Sequence, residues 1–243
     1  MYMNRTPSSA RSILLLAVTV AGLGLAASLR AQLVTYDIST ADSFESPTVT
    51  GVVSPGNIAS VSAGVLSATG VAPLSSEIGN DGHFLFGGWA PGVVNSADKF
   101  YSFTITPTAG FQISYASVTY SVAALDTPGW QLRSSVDGYV ANFGPHIINP
   151  NADQNPFTDN VASIGTQTGA VTFRLYGYGS TGSGFDGLAN NNGFFGPAFS
   201  GRNVVITGTV SAVPEPHQYA IIAGLGLLGF AAFRHRNRLS KLA

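Results

Sequence analysis

Tyr101-Ser102-Phe103-Thr104-Ile105-Thr106 sets a large apolar side chain at every second position and a hydroxyl at each position between. A strand sends successive side chains to opposite faces, so this stretch reads as one buried face and one wet face of a sheet. The same period of two recurs along the chain. Val118, Tyr120 and Val122 alternate with Thr119 and Ser121, and Val171, Phe173 and Leu175 alternate with Thr172, Arg174 and Tyr176. Val204, Ile206, Gly208 and Val210 alternate with Val205, Thr207 and Thr209. Turn formers stand between these runs at Pro107 to Gly110, Thr127-Pro128-Gly129, Asp137-Gly138 and Gly144-Pro145. The short connection from Thr106 to Phe111 predicts a hairpin joining Tyr101–Ile105 to Ile113–Val122. No stretch of the body carries an amphipathic helical period. The expected fold is all-β, an antiparallel β-sandwich of jelly-roll-like type.

The chain has 243 residues, of which 45% are hydrophobic and only 9% charged, and it contains no Cys. The low charge excludes a coiled coil and a charge-driven disordered chain. The absence of Cys excludes a disulfide framework, thiol chemistry and a Cys-ligated zinc site. The near-neutral total of −1 hides a division of charge. Residues 32–212 hold four cations (Lys99, Arg133, Arg174, Arg202) against eleven acids, a net of −7. Such a body repels phosphate backbones, so nucleic acid is not an expected partner.

The positive charge sits at the two ends. Arg5 and Arg11 precede an uncharged apolar run from Ile13 to Leu29, and small residues follow as far as Ala31. Residues 1–31 read as a secretory signal peptide cleaved near Ala31 or at Ser28, with an uncleaved membrane anchor as the alternative. At the other end, Val213-Pro214-Glu215-Pro216 leads through His217 and Gln218 into an apolar run from Tyr219 to Phe233. Arg234, Arg236, Arg238 and Lys241 close the chain. The fifteen apolar residues of the run rise only ~22 Å as a helix, short of a ~30 Å hydrocarbon core. Snorkelling arginines and a thinned bilayer would still let such a transmembrane helix span. The basic clusters at both ends then lie in the cytoplasm, and the body is translocated. The two prolines deny Glu215 both helix and ladder hydrogen bonding, leaving one carboxylate on an extended, accessible segment.

Residues 213–243 resemble the PEP-CTERM sorting signal of Gram-negative bacteria, in which a Pro-Glu-Pro tripeptide, a short transmembrane helix and an Arg-rich tail follow in that order. Pro214, Glu215 and Pro216 match the tripeptide, and Arg234, Arg236 and Arg238 match the basic tail. The resemblance implies recognition by an exosortase, a membrane-embedded protease or transpeptidase with a catalytic Cys. It implies removal of the tail, after a transient stay in the inner membrane through the C-terminal helix. It further implies delivery to the cell surface or extracellular matrix and association with exopolysaccharide. Within the body, Trp130–Asp137, Val171–Tyr178 and Asp98–Phe103 resemble segments common in PEP-CTERM protein bodies, which extends the likeness over residues 98–212.

The chain thus divides into a signal peptide (1–31), a β-sandwich body (32–212) and a sorting signal (213–243). The expected function is that of a non-enzymatic structural or exopolysaccharide-associated protein of the envelope or matrix, with no catalytic residue, cofactor or metal. Alternatives are a lectin-like carbohydrate-binding module and a secreted glycan hydrolase. Three G-x-G-x-x-G matches begin at Gly177, Gly182 and Gly224, but no helix opens behind the first two, and the third lies inside the apolar tail, so phosphate binding is not expected. His83 and His146 are the body's histidines, with no nucleophile-elbow motif beside them. Arg133 with Asp137, and Arg174, read as ion pairs locking strands, with sugar contact as the alternative. Trp89 and Trp130 read as core, with pyranose stacking as the alternative. Asp153, Asn155 and Asp159 read as a solvated loop, with Ca²⁺ ligation as the alternative.

Overall fold

The computed structural model describes residues 31–40, 48–73, 83–94, 99–123, 127, 129–147, 156–181, 186–189 and 203–239. Residues 1–30 of the expected signal peptide (1–31) lie outside the described residues, as do Asp153 and Asn155 of the acidic loop, while Ala31 is the first residue of a strand. The described body is mostly strand, and every strand pairing is antiparallel. One sheet has the order β13 (Phe157–Asn160), β9 (Phe111–Tyr120), β17 (Val204–Ala212), β1 (Ala31–Tyr36), β3 (Gly51–Val53), with β14 (Thr166–Gln167) also on β9. A second has the order β12 (Phe143–Ile147), β11 (Gly129–Ser134), β15 (Val171–Tyr178), β8 (Phe100–Pro107), β5 (Leu66–Thr69), β2 (Thr48–Val49), with β4 (Val61–Ala63) on β8. A smaller sheet runs β10 (Val122–Ala123), β16 (Asp186–Ala189), β7 (His83–Gly87), β6 (Ala72–Pro73).

The two larger sheets meet through the faces that the period of two marks as apolar. Tyr101, Phe103 and Ile105 of β8 are buried, as are Ile113, Tyr115 and Val118 of β9, Val171, Phe173 and Leu175 of β15, and Val204 and Ile206 of β17. Rings interlock across the interface. Tyr36 lies 5.3 Å from Phe103, and Tyr115 stands edge-on to Phe173 at 5.5 Å. Apolar burial on this scale is the main stabilising term for a domain without disulfides.

The expected hairpin between β8 and β9 does not form. The two strands belong to different sheets, and the connection is an arch across the core. Ser60 O accepts the Thr108 N–H at 2.9 Å and Thr108 O accepts the Phe111 N–H at 3.0 Å, with Gly110 at φ 85°. That turn carries the chain out of one sheet and into the other. The apolar faces of β8 and β9 therefore oppose one another, and the Tyr115 hydroxyl reaches Ile105 O at 3.4 Å. A period of two specifies which residues face inward but not which strand lies alongside.

The outer face of β15 also departs from the alternation. Tyr176 is 3% exposed although it alternates with the inward set. Its ring lies 5.5 Å from that of Phe100 and under the Arg133 guanidinium at 5.4 Å, while the end of β15 is bonded to the segment after β7 from Ser180 N to Ala90 O and from Gly179 N to Gly92 O, both at 3.0 Å. The three body segments singled out by resemblance fall on the adjacent strands β11, β15 and β8.

Beyond β17 the chain has no regular secondary structure at Val213 to Glu215 and then forms one helix, α1 (Pro216–Leu239). Proline suits the first turn of a helix, where its missing N–H has no partner to lose.

Candidate functional site

Two regions carry chemistry: the junction between β17 and α1, and a cluster of polar side chains on the second sheet. At the junction, Val213 N donates to Gly110 O at 2.8 Å, the last body hydrogen bond on this strand. Pro214 and Glu215 are exposed immediately afterwards. The helix that follows presents Ile221, Leu225, Leu227, Leu228, Phe230 and Phe233 to the surroundings, each more than half exposed. These positions run round the helix instead of forming one stripe, so among the described residues the apolar side chains of α1 are exposed on all sides. Helices of that kind are normally surrounded by protein or lipid. Among the described residues, no helix is long and apolar enough to cross a membrane. The uncharged run ends at Phe233, and Arg234 and His235 continue the helix.

On the second sheet, the expected pairing of Arg133 with Asp137 is absent. Arg133 Nε donates to Asn142 Oδ1 at 2.7 Å and Nη1 to Tyr139 O at 3.0 Å. Asp137 instead accepts the backbone N–H groups of Val140 (3.3 Å) and Ala141 (2.7 Å), holding the turn after β11. Arg174 also lacks a carboxylate. Its guanidinium carbon lies 4.1 Å from the centre of the Phe100 ring and 3.9 Å from that of Tyr139. The guanidinium therefore stacks between two aromatic rings, a contact that suits its planar, weakly hydrated charge.

Trp89 and Trp130 are core, 3% and 0% exposed, which removes the pyranose-stacking alternative. Their rings meet edge to face at 5.1 Å. Trp89 Nε1 donates to Phe86 O (2.8 Å) and Asp186 O (3.0 Å). Gly177, the first glycine of the phosphate-loop pattern, serves this packing, since a Cβ there would stand 2.8 Å from the Trp89 ring. Gly224, Gly226 and Gly229 lie within α1.

Asp159 is a strand residue of β13, 2% exposed, and not part of an open calcium loop. It accepts from His146 Nε2 at 2.6 Å and from the Tyr120 hydroxyl at 2.9 Å. The His146 ring stacks on Phe157 at 4.1 Å. Gly144 permits the approach, because its φ of 56° and missing Cβ leave room for the carboxylate. This cluster ties β12 of one sheet to β13 and β9 of the other at their shared margin. Asp159→Ala would strand a buried tyrosine hydroxyl and an imidazole, costing about 2–4 kcal/mol. A lowered urea midpoint with an unchanged slope is the expected reading. His146 has no serine among its recorded partners. Among the described residues, no group of three or more His, Cys, Asp or Glu could hold a metal ion.

These features define a β-sheet body whose last strand ends three residues before an exposed carboxylate, followed by a helix whose described apolar side chains are exposed and whose end is basic. The layout is that of an exported protein bearing a C-terminal address. The family model for the PEP-CTERM protein-sorting motif matches residues 212–237. The chain therefore carries a PEP-CTERM motif, the mark of an exosortase-targeted, exported protein. Comparison with curated proteins finds no match. The matched span starts at Ala212, the last residue of β17, and takes in Pro214, Glu215, Pro216, Arg234 and Arg236, while Arg238 lies one residue past it.

Proposed function

We propose that the chain is exported behind its N-terminal signal and held at the inner membrane by α1 through local thinning of the bilayer. An exosortase then severs it near Pro214-Glu215-Pro216. The released body, a jelly-roll-like sandwich, is a non-enzymatic structural component of the cell surface or exopolysaccharide matrix. One observation carries this reading. The last strand stops at Ala212, so the tail beyond it can be removed without taking a single residue from a sheet.

The test replaces Pro214, Glu215 and Pro216 together by alanine in the producing cell. Intact-mass spectrometry of the wild-type product should show loss of the Arg-rich tail, and the variant should keep it and remain in the inner-membrane fraction. A tail retained in wild type, or removed equally from the variant, refutes the proposal.

A lectin-like role is the second reading. It is favoured by the uncharged, hydroxyl-lined outer face of the first sheet, where Ser114 meets Thr166 (2.7 Å), Ser117 meets Thr207 (2.7 Å) and Thr119 meets Thr158 (3.0 Å).

A further inference from the structure

Arg174 is an anomaly in a body with net charge −7. Its Nε is buried without a hydrogen-bond partner. A guanidinium has five N–H donors, and a buried donor left unpaired costs about 1–3 kcal/mol. Native structures rarely carry such a group unless water or an ion completes it. Arg133 is its direct register partner on β11, so two like charges stand side by side across a strand pair. That arrangement is itself unfavourable.

Three features hold the arrangement in place. Phe100, 6% exposed, lies under the guanidinium from the neighbouring strand β8. Tyr139 reaches it from the turn after β11 at φ 66°, the one non-glycine residue with positive φ among those described. A tyrosine in that region is strained, and strain of this kind gathers at ligand clamps. Arg133 then donates to Tyr139 O and fixes the turn. Each contact orients Arg174, and none of them supplies it with an acceptor.

We propose that Arg174, set against Phe100 and Tyr139 beside Arg133, is a binding site for a carboxylate group carried by an acidic sugar. A planar guanidinium held by aromatic rings presents paired N–H groups that match a carboxylate in two parallel hydrogen bonds. The incoming anion also offsets the repulsion between the two arginines. The chemistry of the site stands on this geometry. The source of the ligand, a uronate-bearing polymer of the matrix, rests on the function proposed above.

Isothermal titration of the full-length protein in a non-ionic detergent separates the two. The probes are galacturonic acid, trigalacturonate and uncharged maltotriose. Both uronates should bind and maltotriose should not. Arg174→Lys keeps the charge but loses the planar fork, and should weaken uronate binding by about tenfold or more. In wild type, the NMR signal of the Arg174 Nε–H should shift on adding uronate, a readout that does not depend on any variant folding. The site is overturned by an unmoved signal with no binding heat, by equal affinity for maltotriose, or by undiminished uronate binding in Arg174→Lys. Binding of the monomer without the trimer upholds the site and removes the polymer as its source.

Discussion

Raising the pH above about 10 should unfold the body within about one to three pH units. Four tyrosines, Tyr36, Tyr101, Tyr115 and Tyr120, are 0–3% exposed. Burial raises the pKa of each, and Tyr120 is raised further by the Asp159 carboxylate beside it. Below pH ~10 these hydroxyls are protonated in both folded and unfolded chains, so stability is undiminished there. Above it the unfolded chain releases protons that the folded chain retains, and stability falls as the pH rises toward the higher folded values. Each tyrosine contributes about 1.4 kcal/mol per pH unit, so four together remove roughly 5–6 kcal/mol per unit. A domain holds about 5–15 kcal/mol in all. Tyrosinate absorbance at 295 nm and far-UV circular dichroism should therefore change together, as one cooperative step. Gradual tyrosinate formation centred near pH 10, with the dichroism unchanged to pH 11.5, would show that the four rings are not buried.

Trp130→Ala should come close to abolishing the fold. Trp130 is fully buried on β11, edge-on to Trp89 and stacked at 6.3 Å over Tyr101 with 17° between the planes. Tyr101 in turn packs on Phe84 at 5.4 Å and Phe86 at 5.8 Å. The tryptophan thus links the second sheet to the smaller one through a continuous run of rings. Truncating a buried tryptophan costs about 3–5 kcal/mol, a large share of the total. Trp130→Phe keeps a ring but leaves Thr127 O without its donor, for which about 1–3 kcal/mol is expected. Urea unfolding of the three proteins should rank wild type above Trp130→Phe above Trp130→Ala. An unchanged midpoint in Trp130→Ala would return this residue to the surface and reopen sugar stacking.

The period of two was sufficient to name the inward residues of β8, β9, β15 and β17, because burial of one sheet face acts directly on residue type. Strand partnership was not legible, as the arch between β8 and β9 shows. An arch and a hairpin demand the same alternation and the same Gly110, and they differ only in which distant strands compete for the ladder. The covered outer face at Tyr176 was missed for a related reason. The groups on its ring, Phe100 and Arg133, come from neighbouring strands more than forty residues away in sequence, which the alternation of one strand does not reveal. The sorting motif was fully legible, since Pro214, Glu215 and Pro216 act as an extended peptide whose neighbours in sequence are also its context. The clusters at Asp159 and Arg174 were not. Each joins residues from separate strands, and charge counting paired Arg133 with the nearest acid, Asp137, which the turn had already engaged. Arg174 was singled out from its place on a strand and the scarcity of cations, four against eleven acids, but its aromatic neighbours were not.

The strand that ends at Ala212 is also the middle of its sheet, seated between β9 and β1, with Ala31 opposite Gly208. The earliest and latest strands of the body are thus clasped to each other, and the chain arrives and departs at the same end. Until the final strand is in place, β9 and β1 have no common neighbour and the first sheet cannot close over the core. On the export route proposed above, the polypeptide would therefore travel as an unfinished thread. Long-range closure of this sort is slow, which leaves a period in which the address has already been presented while the cargo ahead of it is still assembling.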